Sequence, residues 1–219
     1  MRPAALFIDF DGTISPVDIS NSFFTSFAGD DAPRAVQEWK QGLISSTECL
    51  KREIAAYPGD LSSLREYAGM QPIDEGFMHL RDECRRRGIP MTIVSDGLDY
   101  YISAFFEEHG IDADFRSNRL EVSGSDWRLT FPYHNDECGG CGNCKSAHVE
   151  EARKQGKFII YVGDGLSDRC AAAQADMVFA KGDLRGYCEE KAIPYYPFDH
   201  LGDVAEHIAS TDLGEIPVG

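Results

Sequence analysis

Ala4-Ala5-Leu6-Phe7-Ile8-Asp9-Phe10-Asp11-Gly12-Thr13 is the stretch whose reading decides the fold. Five apolar residues run without alternation and stop at an acid. A strand written this way is buried on both faces, as in a parallel sheet. Gly12 relaxes the backbone for a turn, so the two acids at i and i+2 leave the strand end together. The same pattern recurs at Met91–Val94 before Ser95, at Phe158–Val162 before Gly163-Asp164, and at Met177–Ala180 after Asp176. Ile193–Tyr196 reads as one more short strand.

Working outward, helical patterns fill the intervals. Gly76–Arg87 places Phe77, Leu80 and Cys84 on one face and stops at Gly88-Ile89-Pro90. Tyr100–His109, Ser146–Gln155, Leu184–Lys191 and Leu201–Ser210 follow. Strands alternating with helices of this length give βαβ units and a doubly wound α/β sheet. The interval from Asp9 to Ser95 is several times longer than a crossover of about a dozen residues. The helix after Gly76 serves as that crossover, which leaves residues 15–70 as an insertion. Ile19–Phe27, Ala32–Lys40, Thr47–Tyr57 and Leu61–Ala68 all read as helices within it, with N-cap chemistry at Ser46-Thr47-Glu48 and Asp60. We expect an α-helical cap over 15–70 and a core formed by 1–14 and 71–219. Leu120–Val122 and Trp127–Phe131, joined through Gly124, read as a β-hairpin ahead of a Gly- and Cys-rich loop.

In an open α/β sheet, ligands gather at the carboxyl ends of the strands. Those ends carry Asp9 and Asp11, Ser95-Asp96-Gly97, and Asp164 with Asp168; Lys145 starts a helix. Carboxylates gathered that closely repel one another unless a cation joins them or their pKa values rise. An all-oxygen donor set suits a hard ion, and Mg²⁺ is the natural choice because it also bridges to phosphate. A second cluster, Cys138-Gly139-Gly140-Cys141-Gly142-Asn143-Cys144 with His134 ahead of it, has the spacing of a tetrahedral structural Zn²⁺ site. Its fourth ligand is His134, with His148 as the alternative; reduced thiols in a loop or an adventitious disulfide is the competing reading.

Taken together and in order, Asp9-Phe10-Asp11-Gly12-Thr13, Ser95, Lys145 and Gly163-Asp164-Gly165-Leu166-Ser167-Asp168 resemble the four motifs of the haloacid-dehalogenase-like (HAD) superfamily. The insertion between the first two resembles the phosphoserine-phosphatase-like branch, whose core is Rossmann-like. The cysteines before Lys145 and the ending Phe179-Ala180-Lys181…Tyr195-Tyr196-Pro197-Phe198 resemble a subgroup. It contains methionine-salvage 2-hydroxy-3-keto-5-methylthiopentenyl-1-phosphate phosphatases and related phosphoethanolamine/phosphocholine phosphatases. The resemblance implies a Mg²⁺-dependent phosphatase acting through an aspartyl-phosphate. Asp9 is then the nucleophile and Asp11 the general acid and base. Mg²⁺ falls to Asp9, Asp11 and Asp164, with Asp168 as a further ligand or as the residue that orients Lys145. Ser95, Lys145 and the amides of Asp96 and Gly97 bind the phosphoryl group.

The resemblance also places Asp18 at a cap-entry position that contacts substrate in relatives, although at a helix start a plain N-cap is an equal reading. Phosphoserine, the alternative substrate, calls for an arginine in the cap, and Arg34, Arg52 and Arg65 are the choices. An alternative of another class is a non-catalytic HAD-fold binding protein with a structural zinc.

Composition sets the outer bounds. In 219 residues, 37 acids against 21 bases give a net charge of −16, which argues against nucleic acid and anionic membrane as partners. A small phosphorylated metabolite fits better, with the protein a monomer or homodimer. The amino terminus lacks the longer apolar stretch of a secretory signal, and the seven cysteines do not form a secreted framework, so a cytoplasmic location is expected.

Overall fold

A computed structural model describes residues 2–124, 126–138 and 140–212. Its sheet has seven strands: β1 (Ala4–Ile8), β2 (Met91–Leu98), β3 (Phe115–Ser123), β4 (Asp126–Thr130), β5 (Phe158–Gly163), β6 (Met177–Ala180) and β7 (Tyr196–Pro197). They lie in the order β4-β3-β2-β1-β5-β6-β7. β1 pairs in parallel with β2 and β5, β5 with β6, and β6 with β7; only the β3–β4 hairpin is antiparallel among the pairings described. The expected doubly wound α/β sheet is the observed one. β5 and β6 are buried along their whole length, and β1 from its second residue, as unalternated apolar runs require.

The helices are α1 (Ile19–Phe27), α2 (Asp31–Lys40), α3 (Ser46–Ala56), α4 (Ser62–Gly69), α5 (Phe77–Arg87), α6 (Asp99–Glu108), α7 (Lys145–Lys154), α8 (Arg169–Ala172), α9 (Gly182–Lys191) and α10 (Leu201–Ser210). None of the described helices is long and apolar enough to cross a membrane. Asp18 caps α1 by accepting from the Asn21 amide at 3.0 Å. Ser45, one residue before the expected cap, closes the first turn of α3 through the Glu48 amide.

The chain divides into two compact units. The first comprises Met1–Pro16, Ile73–Ile93 and Lys145–Gly219; the second comprises Val17–Pro72 and Val94–Cys144. In the first unit, Asp74 accepts from the amides of Gly76 and Leu201 and so joins the starts of α5 and α10. The Arg87 guanidinium reaches the Ile208 and Thr211 carbonyls at the other end of α10. In the second unit, Phe23 packs edge-on against Phe24 and Tyr57, while Ala35, Val36 and Cys49 hold α2 to α3.

Two local expectations change. The strand expected at Ile193–Tyr196 shrinks to Tyr196–Pro197, because the Ile193 amide is taken by the Cys188 carbonyl at 2.9 Å in closing α9. That closure places Ala192 in the left-handed region, at φ 54°. The hairpin is longer than its apolar residues indicated, since β3 begins at Phe115 and carries polar residues on its outward positions.

Candidate active site

In the first unit β1 delivers Asp9, whose amide bonds the Val162 carbonyl of β5 at 2.9 Å. Beyond it the chain wraps onto itself: the amides of Thr13, Ile14 and Ser15 all converge on the Phe10 carbonyl. Gly12 is required there on two counts. Its φ is +78°, and a Cβ would strike the Asp164 carboxylate. Thr13 Oγ1 donates to that same carboxylate at 2.6 Å. Asp11 sits half-exposed in the turn and bridges to Ser15.

Asp9, Asp164 and Asp168 each offer an oxygen within 4.8 Å of the others. Among the described residues this is the group of three or more ligating side chains close enough to share one ion. Lys145, buried at 2% exposure, lies in the cluster, with Nζ 2.7 Å from Asp9 Oδ1 and 2.7 Å from Asp168 Oδ1. Ser167 Oγ accepts a third bond from the same ammonium at 2.9 Å.

The three acids are unequal. Burial, then repulsion from Asp168 and Asp164, pushes the Asp9 carboxyl well above its ordinary range despite Lys145. Burial and Asp168 push Asp164 up to about 7. Burial also raises Asp168, but Lys145 and the bonds from Lys145, Tyr161 and the Gly165 amide outweigh it, so its pKa falls. Lys145 is likewise held charged: burial disfavours the ammonium, and Asp168 and Asp9 more than offset that.

Asp168 is saturated by donors. Oδ1 accepts from Lys145 and, at 2.6 Å, from the Tyr161 hydroxyl; Oδ2 accepts from the amides of Asp164 and Gly165 at 3.1 and 2.9 Å. Four donors leave this carboxylate little capacity for direct contact with an ion. Asp9, buried, and Asp164, half-buried, are instead two carboxylates whose charged forms are disfavoured, and they fit a hard divalent cation. Ser167 lies inside a motif read for its acids, and Tyr161 inside an apolar run, which gives no sign that one tyrosine faces an acid.

The second unit carries Ser95, buried at 1% exposure at the end of β2. The Gly97 amide, expected on the phosphoryl group, donates to Ser95 Oγ at 2.9 Å, which leaves the hydroxyl hydrogen as a donor. Asp96 Oδ1 accepts from the Asn143 amide at 2.8 Å and from Asn118 Nδ2 at 3.1 Å.

The cysteine run lies in this unit too. Cys138 is exposed, Cys141 half-buried and Cys144 buried; all seven cysteines of the chain are thiols. Among the described residues, no three of the ligand atoms of Cys138, Cys141, Cys144 and His134 lie within 4.8 Å of one another. His134 Nδ1 is engaged with the Cys141 carbonyl at 2.7 Å, and His148 is buried on α7 in the first unit. Backbone and hydroxyl bonds hold the loop instead. Ser46 donates its amide to the Gly140 carbonyl at 2.9 Å, and Ser46 Oγ accepts from the Gly142 amide at 2.8 Å.

Comparison with known proteins agrees with this geometry. The model of the haloacid dehalogenase-like hydrolase family matches residues 6–173. A 2-hydroxy-3-keto-5-methylthiopentenyl-1-phosphate phosphatase of Lysinibacillus sphaericus (strain C3-41) is 32% identical, over 90% of this chain and 90% of its own. A phosphatase of the same name from Exiguobacterium sibiricum is 29% identical, over 94% and 96%. Among solved structures, a phospho-aspartyl intermediate analogue of phosphoserine phosphatase superposes with a TM-score of 0.70 at 19% identity, covering 94% of this chain and 99% of that one. Phosphoserine phosphatase from T. onnurineus gives 0.72 at 14% identity, covering 96% of each. At such identities the structural likeness speaks for the fold.

Proposed function

Because the chain belongs to the haloacid dehalogenase-like hydrolases, we propose that it hydrolyses a small-metabolite phosphomonoester through an aspartyl-phosphate on Asp9. The observation that carries this reading is one buried lysine shared between a destabilised carboxylate, Asp9, and a stabilised one, Asp168. Asp9 attacks phosphorus in line; its oxygen–phosphorus bond forms as the ester bond breaks. Asp11 hands a proton to the departing alkoxide, then takes one from the water that attacks the phosphorus and releases phosphate. Lys145 sets a fixed positive charge against the phosphoryl oxygens, with the Ser95 hydroxyl and the Asp96 amide as donors. Mg²⁺, when bound, would be held by the Asp9 and Asp164 carboxylates and the Asp11 carbonyl, and supplies charge that keeps both acids ionised. Asp168 acts by orienting Lys145.

For the substrate we favour a metabolite phosphate of the methionine-salvage type, supported by the names of the relatives. Phosphoserine fits less well. Arg52 is bound by Asp31 and Glu38, and Arg65 by the Tyr100 carbonyl and Glu107, so two of the three arginines suited to its carboxylate are already engaged. Seven thiols accord with a cytoplasmic location, where we take the protein to be a monomer or homodimer. For Zn²⁺ the support is the cysteine spacing alone; metal analysis of protein purified without chelator reads it as about one zinc per chain or none. The deciding assay is hydrolysis of p-nitrophenyl phosphate and a panel of metabolite phosphates with Mg²⁺, with EDTA, and by Asp9→Asn. Full activity of the Asn variant refutes the nucleophile.

A further inference from the structure

Asn143 stands two residues before Lys145, and three of its hydrogen bonds in the second unit reach Ser95, Asp96 and Arg116. The carboxamide Nδ2 donates to the Ser95 carbonyl at 2.9 Å and to the Arg116 carbonyl at 2.7 Å. Its own amide donates to Asp96 Oδ1 at 2.8 Å. Asn118 completes the frame from β3, with Nδ2 on the Asp96 carbonyl at 2.6 Å and on Asp96 Oδ1. Asn143 and Asn118 are fully buried. Gly142 packs so closely on the Asn118 carboxamide that a Cβ would collide with it, and its amide is fixed by Ser46 Oγ at the start of α3.

We infer that Asn143 is a positioning residue that fixes the Ser95 backbone, and so aims the Ser95 hydroxyl, from within the segment that begins the lysine helix. One amide group has two hydrogens to give, and both go to carbonyls, so the site accepts a donor of this shape and rejects an acceptor. Asp96 thereby acts through its side chain as the anchor for the loop, apart from any use of its amide. The inference rests on the phosphatase reading for its consequence; the placement itself is geometric.

The test compares wild type with Asn143→Ala, Asn143→Asp and Ser46→Ala on p-nitrophenyl phosphate at saturating Mg²⁺. It also measures inhibition by orthovanadate, calorimetric binding of inorganic phosphate, and thermal midpoints. Asn143→Ala lowers kcat on the order of tenfold, the usual cost of losing an orienting partner. It raises the vanadate constant in step and moves KM less. Asn143→Asp is worse, since a carboxylate then faces two carbonyl oxygens. Ser46→Ala, which removes only the acceptor of the Gly142 amide, shows a smaller loss in the same two constants and serves should the Asn143 variants fail to fold. Wild-type kcat and vanadate inhibition in the folded variants, with only the thermal midpoint lowered, overturn the inference. A wild type that hydrolyses no phosphomonoester overturns the phosphatase reading instead, and phosphate binding then decides the Asn143 role: weakened in the variants supports it, unchanged refutes it.

Discussion

Asp168→Asn separates a lysine partner from a metal ligand, provided it is measured without metal. Asp168 is fully buried, Lys145 is 2% exposed, and they meet at 2.7 Å, so solvent screens the pair little. Removing one partner of a buried ion pair costs about 3–5 kcal/mol. Here Lys145 keeps Asp9 as a counter-charge at 2.7 Å, which points to the lower end, about 3 kcal/mol. An asparagine also turns one acceptor into a donor that faces Lys145 and Tyr161 or two amides. At roughly 2–4 °C per kcal/mol for a chain of this size, the midpoint falls by about 6–12 °C. The assay is thermal unfolding in EDTA at neutral pH, with kcat measured separately in Mg²⁺. If Asp168 served mainly as a third carboxylate for the ion, loss of its charge would relieve repulsion in the empty site and raise the midpoint. A midpoint unchanged within 2 °C, or higher, refutes the assignment.

Asp9→Asn is expected to do the opposite in EDTA: a neutral side chain removes a carboxylate whose charged form burial and its neighbours disfavour, so the midpoint rises while turnover is lost. Asp164 taken by itself makes the metal-free protein less stable as pH rises. Asp164 titrates near 7 when folded against about 3.8 when unfolded, so the folded state holds the extra proton across that window. Unfolding free energy therefore declines from about pH 4 to 7, and urea titrations at several pH values check the slope; a rise attributable to this group contradicts the burial argument. Gly12→Ala combines a strained φ with a collision against Asp164, and should abolish Mg²⁺-dependent activity while calorimetry shows weakened Mg²⁺ binding. Arg52→Ala breaks partly exposed ion pairs to Asp31 and Glu38, which solvent screens, and should leave the urea midpoint nearly unchanged.

The sheet was legible because a parallel strand buried on both faces has to be an unbroken apolar run, and Ala4–Ile8, Phe158–Gly163 and Met177–Ala180 are written that way. β7 was misplaced because Ile193 looks like strand but spends its amide on α9. Asp9, Asp164 and Lys145 could be found because strand-end acids and a helix-start lysine stand out in sequence. Tyr161 and Asn143 could not, since each acts through one hydroxyl or carboxamide aimed at a group distant in the chain. The cysteine run shows the converse: its spacing is suggestive, while the loop is held by backbone and hydroxyl bonds that spacing does not reveal.

The first unit is assembled from three pieces of chain, and the last begins at Lys145. β1 therefore leaves the ribosome long before its neighbour β5, whose Phe158 pairs with Ala4. At synthesis rates of about 5–20 residues per second, the delay is roughly 8–30 seconds. Through that interval a fully apolar strand has β2 available on one side and nothing to cover the other. The stretches 17–72 and 94–144 are already in hand by then. The order of emergence thus leaves the acid at the tip of β1 without Lys145, Asp164 and Asp168 until most of the chain has been made.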